Sequence, residues 1–378
     1  MKIFYTIVVL AIHTYVYTQE NAPAVVDASY IGDVFTNFNG GIKTGSAYLG
    51  KMHFGVNKNV WHNSEFSIHV ENTHGANPSR DYIGDIQVAS NINNGNYTYL
   101  YELWYKYSFK NMFVKLGVID LNSDYFITKY GGVFLNSSFG IQPSASMNMP
   151  VPIFPMNALG INLQYNFNDN VLVRVGVWDG NPGSLNRNPY NVQWKLSSNE
   201  GILSVAELEL NHHKIDNDYH GTIKFGVLYH TASFSRIDDL SNSQIGNVQF
   251  HIVVDQAIIT DKVNNKVKLG AFSQIGYLPN NTINVIPFSI TGGINYSGVF
   301  FKKVDDVLSF AVSYAKISSI LLTDNKYKPN ETTFELVYSY PVLKNITIKP
   351  DLQYIYNTGA KTGLDNCFVG FIRVIVVN

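Results

Sequence analysis

Charged residues, cysteine and long apolar segments are all scarce in this sequence. Of its 378 residues only 15% are charged, the net charge is −1, and Cys367 is the one cysteine. A single cysteine cannot form an intramolecular disulfide, which excludes a small secreted scaffold held together by disulfides. Basic residues do not outnumber acidic residues, which argues against nucleic acid as a partner, because phosphate binding depends on an excess of positive charge. Beyond the N-terminus, no run is long and apolar enough to cross a bilayer as a helix.

Sequence patterns that carry enzymatic chemistry are also missing. The chain contains no nucleophile elbow, no Walker loop and no CxxC or HExxH motif. The pair His212-His213, followed by Asp216 and Asp218, has the residue types of a metal site. Adjacent residues of a strand point to opposite faces, however, so a polar turn is the expected structure there. We therefore expect no enzymatic activity, no cofactor and no metal.

The N-terminus has the layout of an export signal. Lys2 supplies a positive charge, and residues 3–16 are apolar apart from a few threonines, tyrosines and His13. A membrane anchor is the alternative, but this apolar part is short for a spanning helix, which needs about 20 residues. We predict a signal peptide at residues 1–18. Because no linker or change of composition divides the rest, we predict one domain at residues 19–378.

Aromatic residues and short alternating segments are abundant. Aromatic residues make up 14% of the chain, and 25 of them are tyrosines. Many segments of about ten residues alternate between apolar and polar side chains, as expected for strands with one wet and one apolar face. One such segment places Tyr99, Tyr101, Leu103, Tyr105, Tyr107 and Phe109 on one face, opposite Glu102, Trp104 and Lys106. A soluble sandwich and a membrane barrel both fit this alternation.

Loop lengths separate these two folds. Sixteen strands are predicted, near residues 28–38, 46–57, 63–73, 97–108, 111–120, 157–167, 171–180, 201–212, 219–233, 245–258, 266–277, 283–296, 306–316, 332–340, 345–357 and 366–376. Connections on one side are tight, at residues 109–111, 168–170 and 341–344, whereas the other side has the long segments 74–95, 121–156 and 180–200. Loops sorted in this way and an even strand count are typical of bacterial outer-membrane barrels. We therefore predict an all-β fold, a transmembrane antiparallel β-barrel surrounded by outer-membrane lipid.

The longest connection, residues 121–156, is the third on the long side. It is rich in aromatic and apolar residues, including Tyr125, Phe126, Phe134 and the segment Pro150-Val151-Pro152-Ile153-Phe154-Pro155. A loop of this length without secondary structure is usually functional or disordered, and the aromatic content argues against disorder. We predict that this third extracellular loop folds into the lumen and narrows it.

Several short motifs occur in order along nearly the whole chain. The first are Gly32-Asp33, Tyr48-Leu49-Gly50, Asn72-Thr73-His74-Gly75 and Tyr101-Glu102-Leu103-Trp104. The most specific is Phe134-Leu135-Asn136-Ser137-Ser138-Phe139-Gly140-Ile141-Gln142-Pro143, and Trp178-Asp179-Gly180-Asn181-Pro182-Gly183 and Lys349-Pro350-Asp351-Leu352-Gln353-Tyr354 come later. In these residues the sequence resembles the OprB-type carbohydrate-selective porins, although residues 212–330 match poorly. The resemblance implies a bacterial outer-membrane barrel that passes mono- or oligosaccharides by passive diffusion.

Residues that bind sugar are expected on the lumen faces of the strands. A sugar presents hydroxyl groups to charged or amide side chains and flat C–H faces to aromatic rings. Ten residues with such side chains are predicted to face the lumen: Lys51, His53, Glu71, Glu102, Trp104, Lys106, Arg174, Trp178, Glu335 and Gln353. Charges that only solvate a wide lumen and pair neighbouring strands would give the same pattern.

Other functions stay open at this point. A general-diffusion porin would share the barrel but show no sugar preference. An outer-membrane barrel enzyme would need a nucleophile and a base near the membrane rim, and a soluble secreted binding sandwich would be found free in the periplasm. The sequence also leaves open whether the barrels form homotrimers or remain monomers.

Overall fold

Sixteen antiparallel strands form a closed barrel in the computed structural model. The structure describes residues 23–213, 219–261, 266–300 and 306–378, so the predicted signal peptide lies outside the described residues. Each strand pairs with its neighbours in sequence, and β1 pairs with β16 to close the sheet. The predicted all-β barrel with sixteen strands is therefore confirmed.

The strands agree closely with the alternating segments of the sequence. They are β1 Val25–Asn39, β2 Gly45–Trp61, β3 Ser64–Gly75, β4 Tyr97–Phe109, β5 Met112–Ile119, β6 Ala158–Asn168, β7 Val171–Asp179, β8 Ile202–His213, β9 Tyr219–Ser235, β10 Ser243–Thr260, β11 Val267–Tyr277, β12 Phe288–Ser297, β13 Val307–Lys316, β14 Asn330–Leu343, β15 Ile346–Tyr356 and β16 Cys367–Val377.

Helical structure is confined to short turns in the loops. These are a π-helical turn at Ser79–Ile83, 3₁₀ turns at Leu121–Ser123, Gly131–Val133, Ser137–Phe139, Ser319–Asp324 and Thr358–Ala360, and the α-helix α1 at Pro143–Ser146. Among the described residues, no helix has both the length and the apolar character needed to span a membrane.

The connections are sorted by side, as predicted. Four of the turns on one side have two residues each, at 62–63, 110–111, 169–170 and 344–345. The long connections on the other side are L2 (76–96), L3 (120–157) and L4 (180–201). Short turns on one side and long loops on the other correspond to the periplasmic and extracellular sides of bacterial barrels.

Strand residues alternate between the outer wall and the interior. On β2, Met52 and Phe54 are exposed on the outside, whereas Lys51 and His53 between them are partly buried on the inside. On β14, Glu331 and Glu335 are fully buried, whereas Phe334 and Leu336 are exposed. Large apolar side chains thus cover the outer wall, and charged and amide side chains line the inner wall.

The predicted orientation of side chains in the segment 99–109 is wrong at its first residues. A β-bulge interrupts the pairing of β3 and β4, because His69 pairs with Glu102 and Val70 pairs with Leu100. Tyr101 is the extra residue, and a bulge shifts the alternation by one position. Tyr99 consequently faces inward, and its hydroxyl donates a hydrogen bond to Glu71 Oε2 at 3.0 Å.

Two predicted boundaries differ from the structure because of proline. The twelfth strand begins at Phe288 instead of residue 283, directly after Pro287, which has no N–H to donate to a ladder. The turn predicted at 341–344 is residues 344–345, because Pro341 pairs with Thr347 inside the β14–β15 ladder. A strand can contain a proline at a position where the backbone nitrogen does not donate a hydrogen bond to the neighbouring strand.

Candidate functional site

Three carboxylates on the inner wall hold L3 through its backbone. Glu207 accepts from Phe126 N (3.3 Å), Asp255 accepts from Lys129 N and Tyr130 N (3.0 and 3.1 Å), and Glu335 accepts from Leu135 N and Asn136 N (2.6 and 3.0 Å). Hydrogen bonds to a charged acceptor stabilise by about 1.5–3 kcal/mol each. The three acids belong to β8, β10 and β14, so L3 is attached to three strands other than β5 and β6, which carry its ends.

Aromatic contacts support the same loop. Phe134 and Phe139 pack on each other and on Phe272 of β11, with ring centroids 4.9–6.2 Å apart. Nearer the start of L3, the Tyr125 ring lies edge-on to Trp178 of β7 at 5.7 Å. All five rings are nearly or fully buried, which is why so aromatic a loop is ordered.

L2 is held by a separate carboxylate. Glu331 of β14 accepts from the backbone N–H groups of Ile86 and Gln87 at 3.0–3.1 Å, and from Gly359 of the last loop at 2.6 Å. Glu331 and Glu335 lie four residues apart on the same face of one strand, yet they hold different loops. The two acids therefore form a matched pair for separating the effects of L2 from those of L3.

Three predicted sugar ligands form one connected group on β2 and β3. Glu71 accepts from Lys51 Nζ at 3.0 Å and from Tyr99, and it lies 3.4 Å from His53 Nδ1. The Lys51 ammonium also lies 5.0 Å from the ring centre of Phe154 in L3. Lys51 and His53 keep 19% of their side-chain surface exposed, whereas Glu71 keeps 1%. Lys51 and His53 therefore face the lumen, and the buried Glu71 holds both side chains in position.

Trp104 of β4 has two ammonium groups near its ring. Lys106 Nζ and Lys115 Nζ are 5.7 and 5.4 Å from its ring centre. Trp104 Nε1 has no hydrogen-bond partner among the described residues. Lys106 pairs with Glu65 at 2.5 Å, and Lys115 pairs with Asp124 of L3. The Nε1 donor is buried, so what this group can offer to a sugar is the partly exposed indole ring together with the neighbouring ammonium and carboxylate groups.

The remaining predicted ligands have other contacts. Arg174 donates to Gln164, Glu207 and Glu209 at 2.6–3.4 Å. Glu102 accepts from Asp120 N at 2.9 Å and lies 3.3 Å from His69 Nδ1. Trp178 donates to Ile119 O at 3.2 Å, Gln353 contacts Asn136 and Ala89 O, and Glu335 holds L3 as described. Trp178, Glu335 and Gln353 are fully buried, because their side chains are covered by contacts with the loops and neighbouring strands. Their role as sugar ligands stays a prediction.

The sequence prediction omitted several inward charges. Lys115 lies directly across the ladder from Lys106, and Lys224 of β9 donates to Ile127 O of L3 at 2.9 Å. Arg373 of β16 makes a bidentate pair with Asp33 at 2.7 and 2.8 Å. Lys115 and Lys224 follow the period-two pattern of their strands, so that pattern could have identified them.

A cavity of about 600 Å³ lies between L2, L3 and L4 on the long-loop side. Its lining includes the amides of Gln87, Asn93, Asn94 and Asn186, the rings of Tyr97 and Phe154, the guanidinium of Arg80, and apolar side chains such as Met149 and Val151. Amide groups donate and accept hydrogen bonds without net charge, and the two rings add flat apolar surface. This cavity therefore offers hydrogen-bonding groups and apolar surface side by side.

Asp120, the first residue of L3, is a carboxyl group with limited access to water. Burial, together with repulsion from Glu102, raises the pKa of Asp120 from 3.8 to about 7. The folded chain then binds this proton more tightly than the unfolded chain. The stabilisation is complete below the unfolded pKa and is lost as the pH rises towards 7.

We expect the variant Asp120→Asn to lose this part of the pH dependence of stability. An asparagine is neutral at every pH and keeps an oxygen for the Tyr101 hydroxyl, which donates to Asp120 at 2.5 Å. The unfolding temperature of the detergent-solubilised barrel, measured for both proteins between about pH 4 and pH 8, checks this. The wild-type value should fall relative to the variant as the pH rises, and parallel curves would show that Asp120 does not titrate in this range.

Comparison with known proteins agrees with this architecture. The family model "Carbohydrate-selective porin, OprB family" matches residues 50–376. Porin B of Pseudomonas aeruginosa is 24% identical over an alignment of 399 residues, which covers 92% of this chain and 86% of that protein. A putative porin, QuiX, of Acinetobacter baylyi is 21% identical over 389 residues and covers 90% and 86%.

Solved structures show the same fold. The high-pH structure of OprB from Pseudomonas putida superimposes with a TM-score of 0.84 at 20% identity and covers 94% of each chain. The outer membrane channel DcaP of Acinetobacter baumannii follows the barrel less closely, with a TM-score of 0.57 at 9% identity. The family and these relatives are channels rather than enzymes. The family model spans most of the chain, and the chain therefore belongs to the OprB family of carbohydrate-selective porins in the bacterial outer membrane.

Proposed function

We propose that this porin selects its sugars at the inner wall around Trp104, where L3 crosses the lumen and narrows it. The observation that carries this proposal is the position of the Trp104 ring, which has the ammonium groups of Lys106 and Lys115 at 5.7 and 5.4 Å from its centre, and Lys115 in turn pairs with Asp124 of L3. A mono- or oligosaccharide passing L3 would lay its C–H face on this ring and exchange hydrogen bonds with the flanking charges. No reaction and no cofactor is needed for this passage.

The attachments of L3 support its role as the constriction. Glu207, Asp255 and Glu335 bind successive parts of the loop from three different strands, and Lys115 pairs with Asp124 near its start. A loop fixed at several points keeps a constant opening, which selection by size and hydrogen bonding requires. The cavity between L2, L3 and L4 would receive the sugar first.

Mixed charges at the constriction favour sugars over ions. Lys106 pairs with Glu65, and Arg174 with Glu207 and Glu209. Because opposite charges alternate around the lumen, no strong field of one sign attracts one kind of ion. Paired charges still offer donors and acceptors to a neutral hydroxyl group.

We expect Trp104→Ala to weaken sugar binding in the channel by about tenfold. The removed stacking surface contributes roughly 1–1.5 kcal/mol, and 1.4 kcal/mol corresponds to a factor of ten. The measurement is the concentration of glucose, maltose or maltotriose that blocks half of the ion current through one channel in a planar bilayer. Trp61→Ala is the matched control, because Trp61 is exposed on the outer wall and should not affect the block.

The general-diffusion alternative has a distinct outcome in the same experiment. If no sugar blocks the wild-type current at any concentration, the channel has no sugar preference and conducts by size alone. If sugars block the wild type and Trp104→Ala equally, the channel prefers sugars but Trp104 does not contact them.

We also propose that the outer wall lies directly in outer-membrane lipid. Its exposed side chains include Met52, Phe54, Leu116, Ile161, Phe310 and Ile372, distributed around the barrel. A continuous apolar wall of this kind is stable in hydrocarbon and unfavourable in water.

A further inference from the structure

We propose that Asp27, His53 and His69 form a binding site for a divalent transition-metal ion of the zinc class, in the half of the lumen near the periplasmic turns. The three residues lie on β1, β2 and β3, and each offers a ligand atom within 4.8 Å of the other two. His53 Nε2 is 2.8 Å from Asp27 Oδ1, and His69 Nε2 is 4.0 Å from Asp27 Oδ2. The two imidazole rings are 4.9 Å apart.

These distances need little adjustment to fit a bound ion. Bonds of about 2.0–2.2 Å from zinc to nitrogen and oxygen place tetrahedral ligands roughly 3.3 Å apart. One pair is now closer than that value, one is farther, and no pair exceeds 4.8 Å, so side-chain rotations would bring the three atoms around one ion. Two imidazoles and one carboxylate leave the fourth position to water, as in the three-ligand zinc sites of proteins.

A glycine makes room for the ion between the ligands. Gly55 of β2 lies between Asp27 and His69 in the ladder and pairs with both. A Cβ atom at position 55 would lie 2.7 Å from Asp27 Oδ2 and 2.7 Å from His69 Cδ2. The missing side chain thus leaves a gap on the inner wall towards which the carboxylate and an imidazole converge.

Each imidazole has a carboxylate behind it. Glu71 Oε1 lies 3.4 Å from His53 Nδ1, and Glu102 Oε2 lies 3.3 Å from His69 Nδ1. A metal-binding histidine commonly donates its other N–H to a carboxylate, which fixes the tautomer and strengthens the ligand. Here the cross-strand pairs His53–Glu71 and His69–Glu102 place this arrangement on both histidines.

The groups that now surround His69 Nε2 do not prevent binding. Ser67 Oγ is 3.0 Å and Asn57 Oδ1 is 3.3 Å from this nitrogen, and Asn57 also donates to Asp27 Oδ2 at 3.0 Å. Ser67 and Asn57 are neutral partners that an ion would replace at His69 Nε2, and Asp27 keeps its second oxygen, Oδ1, for the ion while Asn57 stays bound to Oδ2. The ligands keep 14–43% of their side-chain surface exposed, so an ion can enter from the lumen.

The donor set predicts which ions bind. Imidazole nitrogen favours Zn²⁺, Cu²⁺, Ni²⁺ and Co²⁺, whereas Ca²⁺ and Mg²⁺ prefer sites made only of oxygen ligands. We therefore expect Zn²⁺ and Co²⁺ to bind in the presence of excess Mg²⁺.

The test is equilibrium dialysis of the metal-stripped, detergent-solubilised protein against Zn²⁺ alone, with the bound metal counted per chain. The wild type should bind one more ion than His53→Ala/His69→Ala. The control His62→Ala/His212→Ala removes two histidines from exposed positions and should keep that ion. Equal zinc binding by the wild type and His53→Ala/His69→Ala would overturn the proposal.

Two milder variants keep the test valid if the double alanine variant fails to fold. Gly55→Ala fills the gap and Asp27→Asn removes the charged ligand, and each should lose the same ion while the barrel remains folded. Co²⁺ bound to the wild type should show the visible absorption of a nitrogen- and oxygen-coordinated ion, and this absorption should be missing in both variants. Retention of the ion and its spectrum in both would contradict the assignment.

Discussion

Replacing Glu335 by alanine is expected to raise the single-channel conductance and to weaken the discrimination between sugars. Glu335 is fully buried and accepts the N–H groups of Leu135 and Asn136 at 2.6 and 3.0 Å. Without the carboxylate, both donors are left unpaired, at a cost of roughly 1–3 kcal/mol each. This segment of L3 would then move away from β14, and the lumen would widen.

The matched control for this experiment lies on the same strand. Glu331→Ala removes an equally buried carboxylate, but one that holds L2 and the last loop. Both variants should fold less stably than the wild type, whereas only Glu335→Ala should conduct more. Conductance is measured in planar bilayers on protein whose heat-modifiable mobility shows a folded barrel. An unchanged conductance in folded Glu335→Ala would show that this part of L3 does not limit the current.

Replacing Arg373 by methionine is expected to destabilise the barrel by about 3–5 kcal/mol, the usual cost of leaving one buried ion unpaired. Arg373 and Asp33 lie opposite each other in the β1–β16 pair that closes the sheet, and both are almost fully buried. Arg373 also donates to Asn91 and Ser90 of L2 at 2.8 and 3.1 Å. The change therefore affects the barrel closure and L2 together.

A second substitution distinguishes the buried charge from a general packing defect. Asp33→Asn/Arg373→Met removes both charges, and we expect it to recover part of the lost stability because no ion is left unpaired. The measurement is the unfolding temperature in detergent for the two single variants and the double variant. Arg236→Met breaks an exposed pair with Asp238 and should leave the unfolding temperature unchanged. A double variant no more stable than Arg373→Met would exclude the unpaired charge as the cause.

Strand positions were predictable because the membrane imposes a simple pattern. Lipid outside and water inside force side chains to alternate with period two, and no other element competes for the backbone hydrogen bonds. The segment 171–180 was predicted as a strand and is β7, Val171–Asp179. Errors arose where a single residue changes the local geometry, as the bulge at Tyr101 and the prolines at 287 and 341 do.

The pattern could not tell what each inward side chain would contact. Trp104 and Glu335 have the same predicted orientation, but Trp104 lies beside two lysines and Glu335 is buried against L3. What each side chain contacts depends on the path of L3, which is distant in sequence: the hydrogen bond from Leu135 to Glu335 joins residues 200 positions apart. Asp27 was missed because the first strand was predicted to begin at residue 28, whereas it begins at Val25 and includes Asp27.

The barrel and the sorting of its connections into a short side and a long side were thus determined by the sequence itself, through alternation and loop length. The third loop was also identified from its length and aromatic content. Only the tertiary structure decided which inward residues hold loops, which line the lumen, and which combine across strands, as Asp27, His53 and His69 do. The physical reason is that facing inward is a local property of a strand, whereas contacts across a closed barrel depend on register and on loops that no local pattern describes.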